Sequence, residues 1–449
     1  MKKFILIIFS LLITNSAYAK TINWEETLNH IKENSYEIQL SQVDIDISKT
    51  QIMNARSAYF PTLGVYAYNE YNKSLDNENH QTTYVGNEII YGDNIYQNAV
   101  SLGLNYNLWD FGIKGDNLKI AKNDNVSKQA AYYKSLRDIE LNAVELYAKA
   151  LTQYKEILVK TEILDIQREL YSIKSRLNES GQTDKTKAVS ENIKVVELEN
   201  YLDKLKNEYS KTLKDLAFYS KQSYSEEDTL ADFNIEEDGF VPVNNVLKAS
   251  VEQNELLNLE QSPEFKIYDA EIEKKNRELL IAKKKNLPQF TFSTNYYLYG
   301  SDNSSYSHSY DNFGQRGLKF RITTYLPIFD GLKNKSERDK IKLEILRLEI
   351  EKEQKLADLT RTFEKIKNDA DYSKRQLENN RKMLNLVVSN IFMLDRLDEN
   401  KLIDKESYLN EKIKLLNQKM EVQSSQINDY MAAYKMGVIN KYENEIGNI

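Results

Sequence analysis

The sequence predicts an α+β membrane protein in which very long coiled-coil helices join four membrane-spanning β-strands. Three observations predict it. Apolar residues recur at alternating steps of three and four through long stretches that lack proline and glycine. Four segments of about ten residues alternate apolar and polar. The whole order of segments occurs twice along the chain.

Composition sets the outer limits. The 449 residues include 61 basic and 68 acidic ones, for a net charge of -7. With 29% charged residues and a mean hydropathy of -0.62, a bundle of membrane-spanning helices is excluded. Mild acidity argues against a nucleic-acid binder, which needs a basic surface. The absence of cysteine removes disulfides, thiolate metal sites and cysteine nucleophiles, and with them a lipid-modified N-terminal cysteine. Five prolines and 14 glycines are few for this length, whereas tyrosine is abundant at 31.

Residues 1–19 read as a signal peptide. Lys2 and Lys3 precede an apolar run from Phe4 to Ile13, and Ala17-Tyr18-Ala19 fits a small-x-small cleavage site before Lys20. That run is about half the ~20 residues a spanning helix needs. Any later route through a membrane is therefore expected to be a β-barrel.

The duplication sets the domains: a first repeat over 20–241 and a second over 242–449, with a linker around 221–262. Ala55-Arg-Ser-Ala-Tyr-Phe-Pro61 resembles Ala282-Lys-Lys-Lys-Asn-Leu-Pro288, each ending a helical pattern and opening an alternating one. Leu108-Trp-Asp-Phe-Gly112 resembles Ile328-Phe-Asp-Gly331. Arg176-Leu-Asn-Glu-Ser-Gly-Gln-Thr-Asp-Lys185 resembles Arg396-Leu-Asp-Glu-Asn-Lys-Leu-Ile-Asp-Lys405. Asp110 lies 66 residues before Arg176, and Asp330 lies 66 before Arg396. Each repeat should run helix, two strands, very long helix, tip turn, helix. Pro61, Pro288 and Pro327 fall at helix–strand boundaries, and Pro242 and Pro263 bracket the irregular joint.

The strands are expected over 62–71, 99–109, 289–299 and 318–326. Val100, Leu102, Leu104, Tyr106 and Leu108 oppose Ala99, Ser101, Gly103, Asn105 and Asn107. Leu318, Phe320, Ile322 and Leu326 oppose Lys319, Arg321, Thr323 and Tyr325. An outer-membrane strand turns its apolar residues to lipid and its polar ones to the lumen, which makes Asn105, Asn107, Lys319 and Arg321 the expected lumen residues. Each segment alone also fits a half-buried strand of a soluble sheet. Four strands cannot enclose a pore, and lipid tolerates no open sheet edge, so several chains would have to share one barrel. The polar intervals 72–96 and 300–317 read as outer loops holding His80 and His308.

Leu136, Ile139, Ala143, Leu146 and Ala150 form one helical stripe, and Val144, Tyr147, Leu151, Tyr154 and Leu158 another. Leu356, Leu359, Phe363, Ile366 and Ala370, then Leu377, Leu384, Val387, Ile391 and Leu394, continue the pattern in the second half. Two stripes on one helix imply neighbours on two sides. About 60 residues at 1.5 Å rise give a rod of roughly 90 Å. Between the long helices, Asp184 and Asp404 are placed to cap the next helix. Gly181 suits a left-handed helix end, where the second half has Lys401.

These residues together resemble the TolC family of outer-membrane efflux and secretion channels over nearly the whole mature length. The resemblance lies in TLNHIKENSYEIQLSQVDIDISKTQIMNARSAYFPTLGVYAY, in LNYNLWDFG and its echo TYLPIFDG, and in RLNESGQTDK and RLDENKLIDK. It implies a homotrimer with a shared twelve-stranded β-barrel and an α-barrel of coiled helices in the periplasm. It implies that the protein sits in outer-membrane lipid of a Gram-negative bacterium, binds no cofactor and catalyses no reaction. It also implies a periplasmic adaptor and an inner-membrane transporter, of RND or ABC type, as partners. Gly181, Asp184, Lys185, Asp398, Glu399, Asp404, Lys405 and Glu406 would lie at the tips where the adaptor docks. Family members often gate there with aspartates and an arginine, but Ser407, Asn410 and Ile403 stand at those places. The carboxylates Asp398, Glu399, Asp404, Glu406 and Glu411 remain as candidates for a cation-attracting constriction, or as a solvated acidic turn. Lys283, Lys284, Lys285, Lys114, Lys333 and Lys335 read as lipid-headgroup contacts or as ordinary cations at helix ends.

No Ser/His/Asp set, metal-ligand cluster or glycine-rich phosphate loop is evident, which argues against an enzyme. The rival from another class is a soluble periplasmic coiled-coil rod. It accounts for the helices and leaves the strands without a role.

Overall fold

The structure is a computed structural model that describes residues 20–73, 81–85, 88–92, 94–233 and 262–446. The expected signal peptide, His80, Pro242 and most of the linker lie outside the described residues. Two compact units divide the chain. One takes in Val43–Ala130 and Glu264–Lys355; the other takes in the chain up to Gln42, Ala131–Pro263 and Leu356 onward. Each unit draws on both sequence repeats.

The sheet-bearing unit is built on β2 (Thr62–Lys73), β5 (Asn94–Trp109), β7 (Gln289–Asp302) and β8 (Gln315–Tyr325). They form one antiparallel sheet in the order β2-β5-β7-β8. The expected strands are all present, and all four run further from the helices than the alternation suggested. Pro61 and Pro288 are 227 residues apart, and Asp110 and Asp330 are 220 apart. Shifting a β2–β5 pair by those two offsets lands on a β7–β8 pair: Tyr66↔Ser101 becomes Ser293↔Arg321, and Val65↔Leu102 becomes Phe292↔Ile322. The duplication therefore extends to strand register.

The two polar intervals are not wholly loops, contrary to the expectation. In the first, β3 (Gln81–Val85) and β4 (Glu88–Gly92) form an antiparallel hairpin, in keeping with their β-branched and aromatic content. In the second, Ser305 accepts from the His308 N–H at 3.2 Å and opens a short helix, Tyr306–Asp311. His308 is exposed there, its Nδ1 2.8 Å from Ser304 Oγ. Asn98 donates to Ser309 Oγ at 2.8 Å, which seats this helix against β5.

Helices enter and leave the sheet at duplicated turns. Asp110 accepts from the N–H groups of Gly112 (3.0 Å) and Lys114 (3.1 Å), and so starts α3 (Ile113–Glu179). Asp330 accepts from Asn334 N–H at 2.9 Å and starts a second 67-residue helix, Lys333–Glu399. Both turns place two successive residues in the left-handed region: Phe111 (φ 56) with Gly112 (φ 84), and Gly331 (φ 67) with Leu332 (φ 70). Pro263 is the first residue of the helix Pro263–Lys284, a position where proline loses no hydrogen bond. That helix is bridged to α3 by Lys274–Asp124 (2.7 Å) and Lys284–Asp116, and to Lys333–Glu399 by Lys275–Glu344 (3.1 Å).

In the other unit the N-terminal segment is broken rather than continuous. Asn23 caps α1 (Trp24–Asn34), the backbone turns at Ser35 (ψ 127), and α2 (Tyr36–Ser57) follows. A two-residue parallel pairing of β1 (Thr21–Ile22) with β6 (Thr229–Leu230) closes this region. The Tyr147 hydroxyl lies 3.0 Å from Ile22 O and 2.8 Å from Ala231 O, so it tethers both strands to α3. Around it pack Trp24, Phe233 and Tyr430, with the last two rings stacked 4.1 Å apart. The stripe residues Ile139, Ala143, Val144, Tyr147 and Leu151 are all buried in this core.

Candidate functional site

The sheet sorts its side chains by face. Successive partners put Val65, Leu102, Tyr296 and Leu318 in one row. Leu63, Leu104, Thr294 and Phe320 form the next, and Tyr106, Phe292 and Ile322 the one after. This face is bare: Leu63, Val65, Leu318, Phe320 and Ile322 are each between 61% and 70% exposed. On the opposite face Thr62, Asn105, Ser293 and Arg321 form a row, followed by Gly64, Gly103, Asn295 and Lys319. Asn107 aligns with Thr291 and Thr323 on that same face. The four expected lumen residues therefore share one surface, on which Asn105, Lys319 and Arg321 are exposed. A Cβ at Gly103 would sit 2.4 Å from Asn295 Oδ1, so a side chain there would push the Asn295 amide aside.

Both sheet edges are open. β2 and β8 each lack an outer partner among the described residues. A run of unpaired N–H and C=O groups on strands of 12 and 11 residues is untenable in lipid unless another strand covers it. No helix among the described residues is long and apolar enough to cross a membrane.

The tips are built by two matching turns. At the first, Gln182 N–H donates to Leu177 O (2.8 Å) and Gly181 N–H to Asn178 O (3.0 Å), with Gly181 at φ 74. At the second, Leu402 donates to Leu397 O (2.9 Å) and Lys401 to Asp398 O (2.9 Å), with Lys401 at φ 56. Both are Schellman ends, one with the usual glycine and one without. Asp184 then caps Lys185–Ser220, and Asp404 accepts from Ser407 N–H at 2.9 Å at the start of Lys405–Ile446. Hydrogen bonds from the Thr186 backbone hold the Asp184 carboxyl below its usual range, and those from Ser407 do the same for Asp404.

Lys401→Gly should relieve the left-handed strain and stabilise this tip by a few tenths to about 1 kcal/mol, whereas Gly181→Ala should cost roughly 1 kcal/mol. Thermal unfolding followed by helical circular dichroism checks the opposite signs.

The two tips contact each other. Lys174 meets Glu406 at 2.5 Å, and Lys405 lies 3.0 Å from Asp398 and 3.8 Å from Glu169. Val159, Ile163, Ile166 and Leu170 pack below against Leu394, Tyr408, Leu409 and Leu415. Of the acidic candidates, Asp398, Glu406 and Glu411 face lysines and Asp404 is a helix cap. Glu399 alone among them is without a partner in the described residues, and Lys185 is also exposed. Near the sheet, Lys284 pairs with Asp116, Lys285 with Glu337 (2.8 Å), and Lys114 with the Asn107 carbonyl. Lys283, Lys333 and Lys335 stay exposed. No group of His, Cys, Asp or Glu suited to a metal ion occurs among the described residues.

With this geometry in view, sequence comparison adds a family match over part of the chain. Residues 27–218 match the outer membrane efflux protein family. The match covers most of the first repeat, and the resemblance carried by the duplicated motifs stands. No curated protein matches the chain in sequence. Solved structures extend the likeness through both repeats. The CmeC outer membrane channel of Campylobacter jejuni shares 14% identity and a TM-score of 0.69, over 92% of this chain and 86% of that one. The outer membrane protein VceC of Vibrio cholerae shares 12% and 0.67, over 92% and 96%. The open state of the Neisseria gonorrhoeae MtrE outer membrane channel shares 12% and 0.64, over 94% and 88%. At such identities the likeness speaks for fold, and the fold is that of the TolC-like outer-membrane channels.

Two features escaped the sequence reading. Glu140 is buried beside both stripes of α3, and a charge adjoining two apolar stripes was the available signal. Glu70 is the one carboxylate of β2 and lies on the polar face.

Proposed function

We propose that this efflux-family protein is a passive outer-membrane exit duct, the last stage of a tripartite efflux pump or type I secretion machine. The observation that carries the reading is the sheet: one bare apolar face, one polar face and two uncovered edges. Three copies would supply twelve strands, with the apolar faces to lipid and Asn105, Asn107, Lys319 and Arg321 to the lumen. The tips around Gly181–Lys185 and Asp398–Glu406 would form the periplasmic entrance and meet an adaptor linked to an inner-membrane transporter, of RND or ABC type. The duct needs no catalytic group or cofactor, because the energy for transport comes from the transporter.

The test is mass and conductance together. Protein extracted in mild detergent should be trimeric and should open discrete conducting events in planar lipid bilayers. A monomer that stays in the soluble fraction and never conducts would overturn the proposal.

A further inference from the structure

Resting on that reading, we infer that β8 of one copy pairs with β2 of the next in one particular register, and that this register sets Arg321 opposite Glu70. The inference follows from the duplication. The sheet contains two kinds of pairing: within a repeat, β2–β5 and β7–β8, and between repeats, β5–β7. The two within-repeat pairings coincide under the 227 and 220 offsets without slip. The same offsets applied to the between-repeat junction generate a junction that the single chain cannot make. β5 becomes β8, and β7 becomes β2 of another copy.

The transposed pairs are specific. Ser101↔Tyr297 becomes Arg321↔Glu70, Gly103↔Asn295 becomes Thr323↔Tyr68, and Val100↔Leu298 becomes Phe320↔Tyr71. Past the irregularity between Asn107 and Trp109, Trp109↔Phe290 becomes Phe329↔Leu63. Two features agree with it. First, face is conserved: Arg321, Thr323, Glu70 and Tyr68 belong to the polar surface, and Phe320 and Tyr71 to the apolar one. A slip of one residue would cross the faces. Second, charge is complementary. Glu70 is the only acid on β2, while β8 carries Arg316, Lys319 and Arg321 and no acid. Arg321 has no ion pair among the described residues, and Glu70 accepts only from Asn72 there, at 3.0 Å. A slip of two residues would leave Arg321 opposite Tyr68 or Asn72. Phe329, 81% exposed, and Leu63, 67% exposed, would cover each other at the helix-side end of the junction.

The cysteine-free chain makes the test direct. In the full-length protein, Thr323→Cys with Tyr68→Cys, or Thr324→Cys with Ala67→Cys, should oxidise to covalent trimers, while Thr323→Cys with Tyr66→Cys should not. Arg321→Glu alone and Glu70→Arg alone should each weaken assembly by about fivefold per interface, and the double reversal should restore it. Trimers that cross-link through the Tyr66 pair, or a double reversal no better than the singles, overturn the register and leave the duct standing. A chain monomeric in mild detergent, with no cross-link in any pair, overturns the duct reading itself.

Discussion

Ile322→Lys should remove the protein from the outer-membrane fraction. Ile322 lies on the bare face of the edge strand β8, aligned with Phe292 and Tyr106 and 67% exposed. In a soluble protein an exposed isoleucine exchanged for lysine on a sheet surface changes stability by less than about 0.5 kcal/mol. Facing the middle of a bilayer, the same exchange would cost about 2–4 kcal/mol per chain. The control is one residue away. Thr323→Lys places the same charge on the polar face, which already carries Lys319 and Arg321, and should leave membrane yield near wild type. Fractionation and heat-modifiable gel mobility read both variants. Equal yields would remove the lipid-facing role from this surface.

Glu140→Ala should destabilise the helical unit by about 3–5 kcal/mol. The Glu140 side chain is 5% exposed and joins three helices. It receives Lys32 of α1 at 2.6 Å, and Tyr434 (2.7 Å) and Tyr442 (2.8 Å) of the C-terminal helix, with Lys441 at 3.6 Å. Removing the carboxylate leaves the partly buried Lys32 ammonium uncompensated and takes one acceptor from the Tyr434 and Tyr442 hydroxyls. Burial alone would raise the Glu140 carboxyl, but the hydrogen bond and charge of Lys32, then Tyr434 and Tyr442, outweigh it and hold the group below the usual glutamate value. A carboxyl depressed by folding contributes stability that is present above its unfolded value and is lost as pH falls through the folded one. Wild-type melting temperature should therefore drop on acidification below the ordinary glutamate range, and Glu140→Gln should flatten that part of the profile. A variant that melts like wild type at pH 7 would show the network to be dispensable.

The parts of the fold written in the sequence were those set by periodicity and covalent constraint. Period-two alternation placed all four long strands, proline and glycine punctuation placed the turns at Asp110, Asp330 and Asp184, and likeness to the first repeat placed the turn at Asp404, which has neither residue. Those signals are local, so they survive without tertiary context. The break at Ser35 was not legible, because a serine is compatible with helix and only the observed backbone turn interrupts it. The hairpin within 81–92 and the helix at Tyr306–Asp311 were missed for a related reason. Polar, tyrosine-rich segments carry no apolar face to announce them, and contacts such as Asn98–Ser309 join residues 211 positions apart. For the candidate site, which face each residue occupies was readable, whereas who neutralises whom was not. Glu406 with Lys174 and Lys32 with Glu140 span 232 and 108 residues, and no spacing rule reports such partners.

The two hairpins keep identical alignment although the intervals that connect their strands differ by seven residues. Length at that end is thus uncoupled from the geometry of the wall. The connecting segments are free to grow, shrink or change their chemistry from one descendant to the next, while the aligned strands stay constant. Diversification can proceed in these connections without renegotiating how the strands of the sheet fit.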